Sequence, residues 1–325
     1  MGAIITGTGH YIPERILTNQ DLEKMVDTSD EWITTRTGIK ERRIAGENET
    51  TSTLAAEAAR RALDSAGVSP EEIDLILVAT ATPDMLFPSV ACLVQNQIGA
   101  VNAAAFDIEA GCTGFIYVLT IAQQFIMTDF YSKILVIGAE TLSKITDYTD
   151  RNTCVLFGDG AGAVILEKGE KGKGILTAHL GADGTGGKLL RIPGGGSLHP
   201  SSIETVQKRM HYTKMDGKEV FKFAARNMAS STIESLNKVN MKVEDIDYLI
   251  PHQANIRIIE NVAKRLNLEK EKIYVNINKY GNMSSASIPV ALDEAVKGHF
   301  IKRDDIIAFA AFGAGLTWGS IVMKW

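Results

Sequence analysis

Residues 63–77 (LDSAGVSPEEIDLIL) lie over residues 236–250 (LNKVNMKVEDIDYLI) without a gap, at an offset of 236 − 63 = 173. Both stretches run from a helical pattern through a turn with paired acids into Ile-Asp and an apolar strand pattern. The same offset lays 134–140 (ILVIGAE) over 307–313 (IAFAAFG), since 307 − 134 = 173, and carries Cys112 onto Ser285 within 281–285 (GNMSS). One such match alone does not exclude chance similarity between generic α/β segments. Three in one register predict a duplicated chain. The charged, glycine-punctuated stretch 167–173 (EKGEKGK) is the natural joint, which predicts halves at 1–170 and 171–325.

Short apolar runs at 73–80 and 134–138 read as buried strands, and 53–65 and 90–98 as helices. That alternation predicts an α/β architecture with mostly parallel sheets, and 325 residues are enough for two hydrophobic cores. Sites in α/β sheets form at the carboxyl ends of strands. In a duplicated molecule, equivalent strand ends from each half can meet at one cleft.

Cys112 sits between Gly111 and Gly114 in 110–115 (AGCTGF), after the apolar run 101–108 and before a helical pattern at 115–130. Glycines there allow a sharp turn and leave room for an acyl group beside the sulfur. At a helix start, the first-turn amides and the helix dipole favour a thiolate. A small buried cysteine is the commoner role for this residue type, so the position needs partners before it reads as a nucleophile. The second half offers two. The strand predicted at 246–250 ends in Pro251-His252, and a second strand predicted at 273–277 leads to Tyr280-Gly281-Asn282. The resulting Cys/His/Asn set suits a papain-like hydrolase, in which His deprotonates Cys and Asn orients His. It equally suits a thioester condensing enzyme, in which Cys holds the acyl group while His and Asn stabilise an enolate. The papain-type Cys-Gly-Ser-Cys-Trp context is absent, and the duplication favours acyl transfer.

Other functions find little support. A net charge of −5 argues against a dedicated nucleic-acid binder, and no apolar run approaches the roughly 20 residues that span a bilayer. The opening MGAIITGTG lacks a basic n-region and reads as a strand entering a glycine turn. Cys92, Cys112 and Cys154 make an odd set without framework spacing, which implies a reducing, cytoplasmic setting. No metal-ligand spacing occurs, and no cofactor is expected. Gly187-Lys188-Leu189 lacks the pattern of a phosphate loop, and 157–163 (FGDGAGA) runs into a strand, which predicts close backbone packing rather than dinucleotide binding.

The stretches 110–115, Asp150-Arg151, 157–163, 251–258 (PHQANIRI), 280–285 (YGNMSS) and 313–319 (GAGLTWG) together resemble the β-ketoacyl-[acyl-carrier-protein] synthase III family, the initiating condensing enzymes of bacterial type II fatty-acid synthesis. The resemblance spans essentially the whole chain. It implies the thiolase fold, two duplicated α/β halves in a layered αβαβα core. It implies a ping-pong reaction in which Cys112 takes a short acyl group from acyl-CoA. Malonyl-acyl-carrier-protein then loses CO2, with His252 and Asn282 stabilising the enolate. An oxyanion hole would come from the backbone N–H groups of Cys112 and Ala314. A glycine is common at the second position; alanine suffices if the backbone there keeps φ negative. CoA-binding positions map onto Thr28, Trp32, Arg36, Arg151 and Asn255, with Trp32 and Arg151 sandwiching adenine and Arg36 meeting phosphate. Without the resemblance, Trp32 reads as a packing residue. Phe87 resembles the residue that crosses a homodimer interface to limit the partner's acyl pocket. Arg257, Lys264 and Arg265, at i, i+7 and i+8, share one helix face that the family uses to dock the carrier protein. A non-condensing acyltransferase or acyl-binding relative of the same fold is the alternative that the residues leave open.

Overall fold

The computed structural model of the chain describes residues 2–325. The elements that build the site are, in order, β1 (Gly2–Tyr11), α1 (Asp30–Thr37), α2 (Thr51–Ala66), β2 (Leu75–Ala79), α3 (Val90–Ile98), β3 (Ala104–Ile108) and α4 (Gly114–Met127). There follow β4 (Lys133–Thr141), β5 (Asp159–Gly169), β6 (Gly174–Ala182), α5 (Gly217–Lys238), β7 (Tyr248–Pro251), α6 (Ile256–Leu266), α7 (Ser287–Lys297), β8 (Ile306–Gly313) and β9 (Thr317–Lys324).

Two large sheets form, with strand orders β1-β5-β4-β2-β3 and β7-β8-β9-β6, beside two small two-stranded ones. Strand β4 runs parallel to β2, and β2 to β3, whereas β1–β5 and β5–β4 are antiparallel. In the second sheet β7–β8 is parallel and both pairs involving β9 are antiparallel. The sheets are therefore mixed, not mostly parallel as the alternation suggested. The three-residue turn at 314–316 folds β9 straight back on β8, and a turn that short joins only antiparallel neighbours.

The offset of 173 holds at the level of single elements. Strand β2 starts at 75 and β7 at 248 (75 + 173), and β4 starts at 133 and β8 at 306 (133 + 173). The helices α4 and α7 start at 114 and 287 (114 + 173). Even the single 3-10 turns before them, Gly111–Thr113 and Ser284–Ala286, keep the register. The register is lost at α3 and α6 and again at β5 and β9, and one strand has no full counterpart. The strand expected at 273–277, which would match β3, shrinks to a single parallel bridge between Leu249 and Ile273, and Ile277–Tyr280 is helical. The Gln253 side chain explains the loss. Its Nε2 donates to Tyr274 O (3.2 Å) and its Oε1 accepts from Asn276 N (3.1 Å), taking backbone groups that a longer strand would have paired.

Helices α4 and α7 lie side by side between the two sheets, and Phe115, Ile116, Leu119, Ile288 and Leu292 meet Phe309 in the central core. On the far face of the first sheet the alanine-rich side of α2 (Ala55, Ala58, Ala59, Ala62) packs with α3, and α5 and α6 cover the far face of the second. The layers are αβαβα. Each large apolar side chain in the middle layer contributes about 1.5–3 kcal/mol by burial, so the helix starts that carry the site are rigidly held. The glycines of FGDGAGA do what close packing requires: a Cβ on Gly162 would stand 2.7 Å from Pro289 of α7, and one on Gly160 2.7 Å from Met283 Sδ. Strand β5 of the first half thereby lies directly against the 280–290 segment of the second.

Candidate active site

Cys112 occupies the 3-10 turn that leads into α4, at the carboxyl-end side of the first sheet. Asn282 lies two residues before the pseudo-equivalent turn of the other half, and His252 follows β7. All three line one cavity of about 280 Å³, together with Trp32, Asn255, Arg257 and Phe312. On its other side Cys112 opens into a second cavity of about 450 Å³, lined by Leu142, Ile145, Leu190, Ile192 and Thr213. The sulfur thus stands where two spaces meet, one running past Trp32 and one lined by aliphatic side chains together with Glu109 and Arg191.

The three side chains are fixed from behind. Asn282 is pinned through its main chain, with its N–H donating to Leu156 O (2.9 Å) and its C=O accepting from Gly158 N (3.0 Å). The Asn282 Oδ1 accepts from Ser284 N at 2.8 Å, which turns the NH2 group toward the cavity. Ser284 adopts φ of +46°, a left-handed conformation unusual for serine, to make that bond. His252 is fully buried, its Nδ1 lies 2.7 Å from Ser287 Oγ, and its Nε2 finds no partner among the described residues. Its ring centroid lies 5.8 Å from that of Phe312. Burial drives the His252 pKa down to about 3, so the imidazole is neutral.

Cys112 departs from the simple expectation of a thiolate at a helix start. Burial pushes its thiol up to about 12, opposed by the Ser284 hydroxyl and reinforced by the buried Glu140 carboxylate. The resting pair is a neutral thiol and a neutral imidazole. Glu140, at the end of β4, accepts from Thr82 Oγ1 (2.6 Å) and Ser285 Oγ (3.0 Å), and burial raises its own pKa. It joins the loops of both halves beneath the cysteine.

The loop between β8 and β9 closes the site. A Cβ on Gly313 would stand 2.6 Å from Cys112 N, so glycine is required for the loop to approach this closely. Thr317 Oγ1 ties it down by donating to Ala110 O (3.1 Å). Ala314 is not among the residues with positive φ, and among the described residues its N–H finds no acceptor. The condition for alanine at this position is met.

At the mouth, Arg151 lies 4.8 Å from the Trp32 ring centroid and Arg36 5.1 Å. An aromatic ring inserted between Trp32 and Arg151 needs two van der Waals gaps, roughly 7 Å in all. Arg151 must therefore swing outward, giving up a 3.6 Å pairing with exposed Asp27. Asn255 caps α6, accepting from Arg257 N (2.9 Å), and the Thr28 hydroxyl is buried without a partner among the described residues. Arg257, Lys264 and Arg265 are all exposed along α6. Phe87 is not brought to this site within one chain; it is 84% exposed beside Leu86 at 82%. Cys154 is buried and Cys92 exposed, with no disulfide.

Sequence reasoning missed Ser284, Ser287, Glu140 and the apolar lining at Leu142, Ile145, Leu190 and Ile192. For Leu142 and Ile145 a signal existed, since they directly follow the carboxyl end of β4. The approach of Leu190 and Ile192 depends on a long excursion, held by Thr213 N donating to Ile145 O (2.9 Å) and Arg209 on Asp147 (2.9 and 2.5 Å).

A duplicated α/β chain with a cysteine on one half facing a histidine and an asparagine on the other defines a condensing enzyme of the thiolase fold. Residues 106–184 match the model described as 3-oxoacyl-[acyl-carrier-protein (ACP)] synthase III, and residues 236–325 match that of its C-terminal portion. A β-ketoacyl-[acyl-carrier-protein] synthase III of Caldanaerobacter subterraneus subsp. tengcongensis is 63% identical over 100% of this chain and 98% of its own. One from Natranaerobius thermophilus is 59% identical over 99% of each. The crystal structure of 3-oxoacyl-[acyl-carrier-protein] synthase III from Aquifex aeolicus superposes with a TM-score of 0.93 at 52% identity, covering 100% of both chains. The chain belongs to the 3-oxoacyl-[acyl-carrier-protein] synthase III family.

Proposed function

We propose that the protein is an acyltransferase that condenses a short acyl-CoA primer with malonyl-acyl-carrier-protein, giving 3-oxoacyl-acyl-carrier-protein, CoA and CO2 as the first step of fatty-acid synthesis. The observation that carries this is the common cavity of Cys112, His252 and Asn282, with a second space on the other side of the sulfur lined in part by Leu142, Ile145, Leu190 and Ile192. In the first half-reaction Cys112 Sγ attacks the primer thioester. The oxyanion forms against the N–H groups of Cys112 and Ala314, CoA leaves, and the thiol proton ends on the CoA sulfur. The acyl chain then lies among Leu142, Ile145, Leu190 and Ile192. In the second, malonyl-acyl-carrier-protein loses CO2. His252 Nε2 and the Asn282 amide donate to the enolate oxygen, and the enolate carbon attacks the acyl thioester. Cys112 leaves as thiolate and regains one proton from solvent. No cofactor takes part in either half.

CoA would enter past Thr28, Trp32, Arg36, Arg151 and Asn255. Residues 1–170 supply the nucleophile and 171–325 the enolate-stabilising pair, with the joint in the turn between β5 and β6. A homodimer is supported by β3, which among the described residues pairs only with β2 and leaves an open edge, and by the exposure of Leu86, Phe87 and, on β3 itself, Phe106. Three free cysteines support a cytoplasmic setting, and among the described residues no helix is long and apolar enough to cross a membrane. The deciding measurement is release of CO2 from malonyl-acyl-carrier-protein by purified protein with an acyl-CoA. Acyl transfer without CO2 release would favour a non-condensing relative.

Carrier docking on α6 makes a separate expectation. Arg257 lines the cavity mouth, so its reversal would disturb CoA as well. Lys264 stands seven residues on, roughly 10 Å along the helix, and Arg265 follows it. Lys264→Glu with Arg265→Glu should raise the KM for malonyl-acyl-carrier-protein roughly three- to tenfold at low salt, because acidic carriers are steered by opposite charge. Acylation by the CoA primer should stay within about twofold, since neither side chain lines the tunnel. Equal losses in both half-reactions would count against docking on this face.

A further inference from the structure

His252 has one proton to place on two ring nitrogens, and the two placements have opposite consequences. With the proton on Nε2 the ring donates into the cavity; with it on Nδ1 the ring offers a lone pair there and can accept a proton from Cys112. The neighbours of Nδ1 decide between them.

Nδ1 has a single partner, Ser287 Oγ, at 2.7 Å. Ser287 is fully buried at the first position of α7. Its oxygen also faces the Gln253 N–H at 3.4 Å, and the hydroxyl makes no other hydrogen bond among the described residues. The Gln253 amide can only donate, so it occupies a lone pair of Ser287 Oγ. The one acceptor within reach of the hydroxyl hydrogen is then Nδ1. If Nδ1 carried the proton instead, Ser287 Oγ would receive two donors and its own O–H would be buried unpaired, an arrangement that folded proteins avoid. In the first arrangement each donor has an acceptor, and Nε2–H is left facing the cavity, where that atom has no partner among the described residues.

We propose that Ser287 is a positioning residue that holds His252 in its Nε2–H tautomer, so that the imidazole meets the malonyl thioester as a hydrogen-bond donor and not Cys112 as a base. The consequence for catalysis rests on the condensing function proposed above; the tautomer itself does not. The arrangement suits decarboxylation, where negative charge develops on an oxygen and a preset donor needs no rearrangement. It leaves ionisation of Cys112 to the turn at the start of α4. Ser287 touches neither substrate nor the reacting atoms; it acts through the ring it orients.

The test is the nitrogen NMR spectrum of the full-length protein carrying ¹⁵N-histidine, with the His252 signals identified by their loss in His252→Gln. Expected is a protonated Nε2 and a pyridine-type Nδ1. A protonated Nδ1 in the parent overturns the proposal before any variant is made. Ser287→Ala should leave a mixture of tautomers and lower the condensation kcat roughly 10- to 100-fold, the size of loss seen when a metal-bound histidine loses its hydrogen-bond partner, with far less effect on primer acylation. Ser287→Thr, which keeps the hydroxyl, should restore both spectrum and rate. Ser287→Asp, which can only accept, should draw the proton to Nδ1 and depress condensation again. An unchanged spectrum and rate in well-folded Ser287→Ala would refute the assignment. A parent spectrum showing Nε2–H in a protein that releases no CO2 would leave the tautomer standing and remove the condensing reading.

Discussion

Cys112→Ser is expected to abolish formation of the acyl-enzyme, slowing acylation by at least about 10⁴-fold, in the range seen when a catalytic nucleophile is removed. The geometry makes the loss severe. His252 faces the site with a proton already on Nε2, so no base stands ready to activate a hydroxyl, which is far less acidic than a thiol. A thiol can ionise without such help, though burial raises its pKa to about 12. Two measurements follow. Peptide-resolved mass spectrometry after mixing with acyl-CoA should place the acyl group on the peptide containing Cys112, and on no peptide of Cys112→Ser. Resolution by peptide matters because Cys92 is exposed on α3 and will react with general thiol reagents, whereas Cys154 is buried and pushed up to about 11 by burial. Second, the acylation rate of the parent should climb with pH by up to about tenfold per unit across the neutral range, since the thiolate fraction does so below the thiol pKa. A flat profile near neutrality would instead mean a preformed thiolate, and a primer carried by another residue in the variant would mean a different nucleophile.

The sequence reveals the half of this site that depends on local pattern and on the repeat. Cys112 is marked by its flanking glycines, His252 by its place after a strand, and Asn282 by a glycine turn. The offset of 173 puts the Cys112 turn over the turn at 284–286, so the pseudo-symmetry of the structure brings the two together. Hidden from such reasoning are effects that arise only when distant segments touch. Ser287 looks like one more small residue in SSASIP, yet its hydroxyl sets the proton position of a histidine 35 residues earlier. Burial, not the helix start, dominates the thiol of Cys112. The missing counterpart of β3 has the same origin: 273–277 carries strand-like residues, but Gln253, far upstream, competes for its backbone. Phe87 is legible only as an exposed aromatic, because its proposed role belongs to a second copy.

His252→Ala should separate the two half-reactions more cleanly than any other single change. With Nε2–H gone, the enolate keeps only the Asn282 amide, and decarboxylation should fall roughly 10²- to 10³-fold, the loss typical of removing one oxyanion donor. Acylation should fall less than about tenfold, because the oxyanion hole of Cys112 N–H and Ala314 N–H is built on other elements, and losing one hole donor outright costs 10²-fold or more. The variant should therefore accumulate primer-loaded Cys112 in the presence of both substrates, visible as an intact-mass increase that the parent shows only when malonyl-acyl-carrier-protein is withheld. Asn282→Ala should behave similarly, and the double variant should be little worse than either single one, since two donors on one oxygen act as a unit. Truncating a fully buried ring beside Phe312 also leaves a cavity, so His252→Gln provides the control: it fills most of the space and retains a donor, and should recover part of the decarboxylation rate. A collapse of acylation matching that of CO2 release would make His252 the base for Cys112. That requires a lone pair on Nε2, and the hydrogen-bond pattern around Ser287 would then have been assigned the wrong way round.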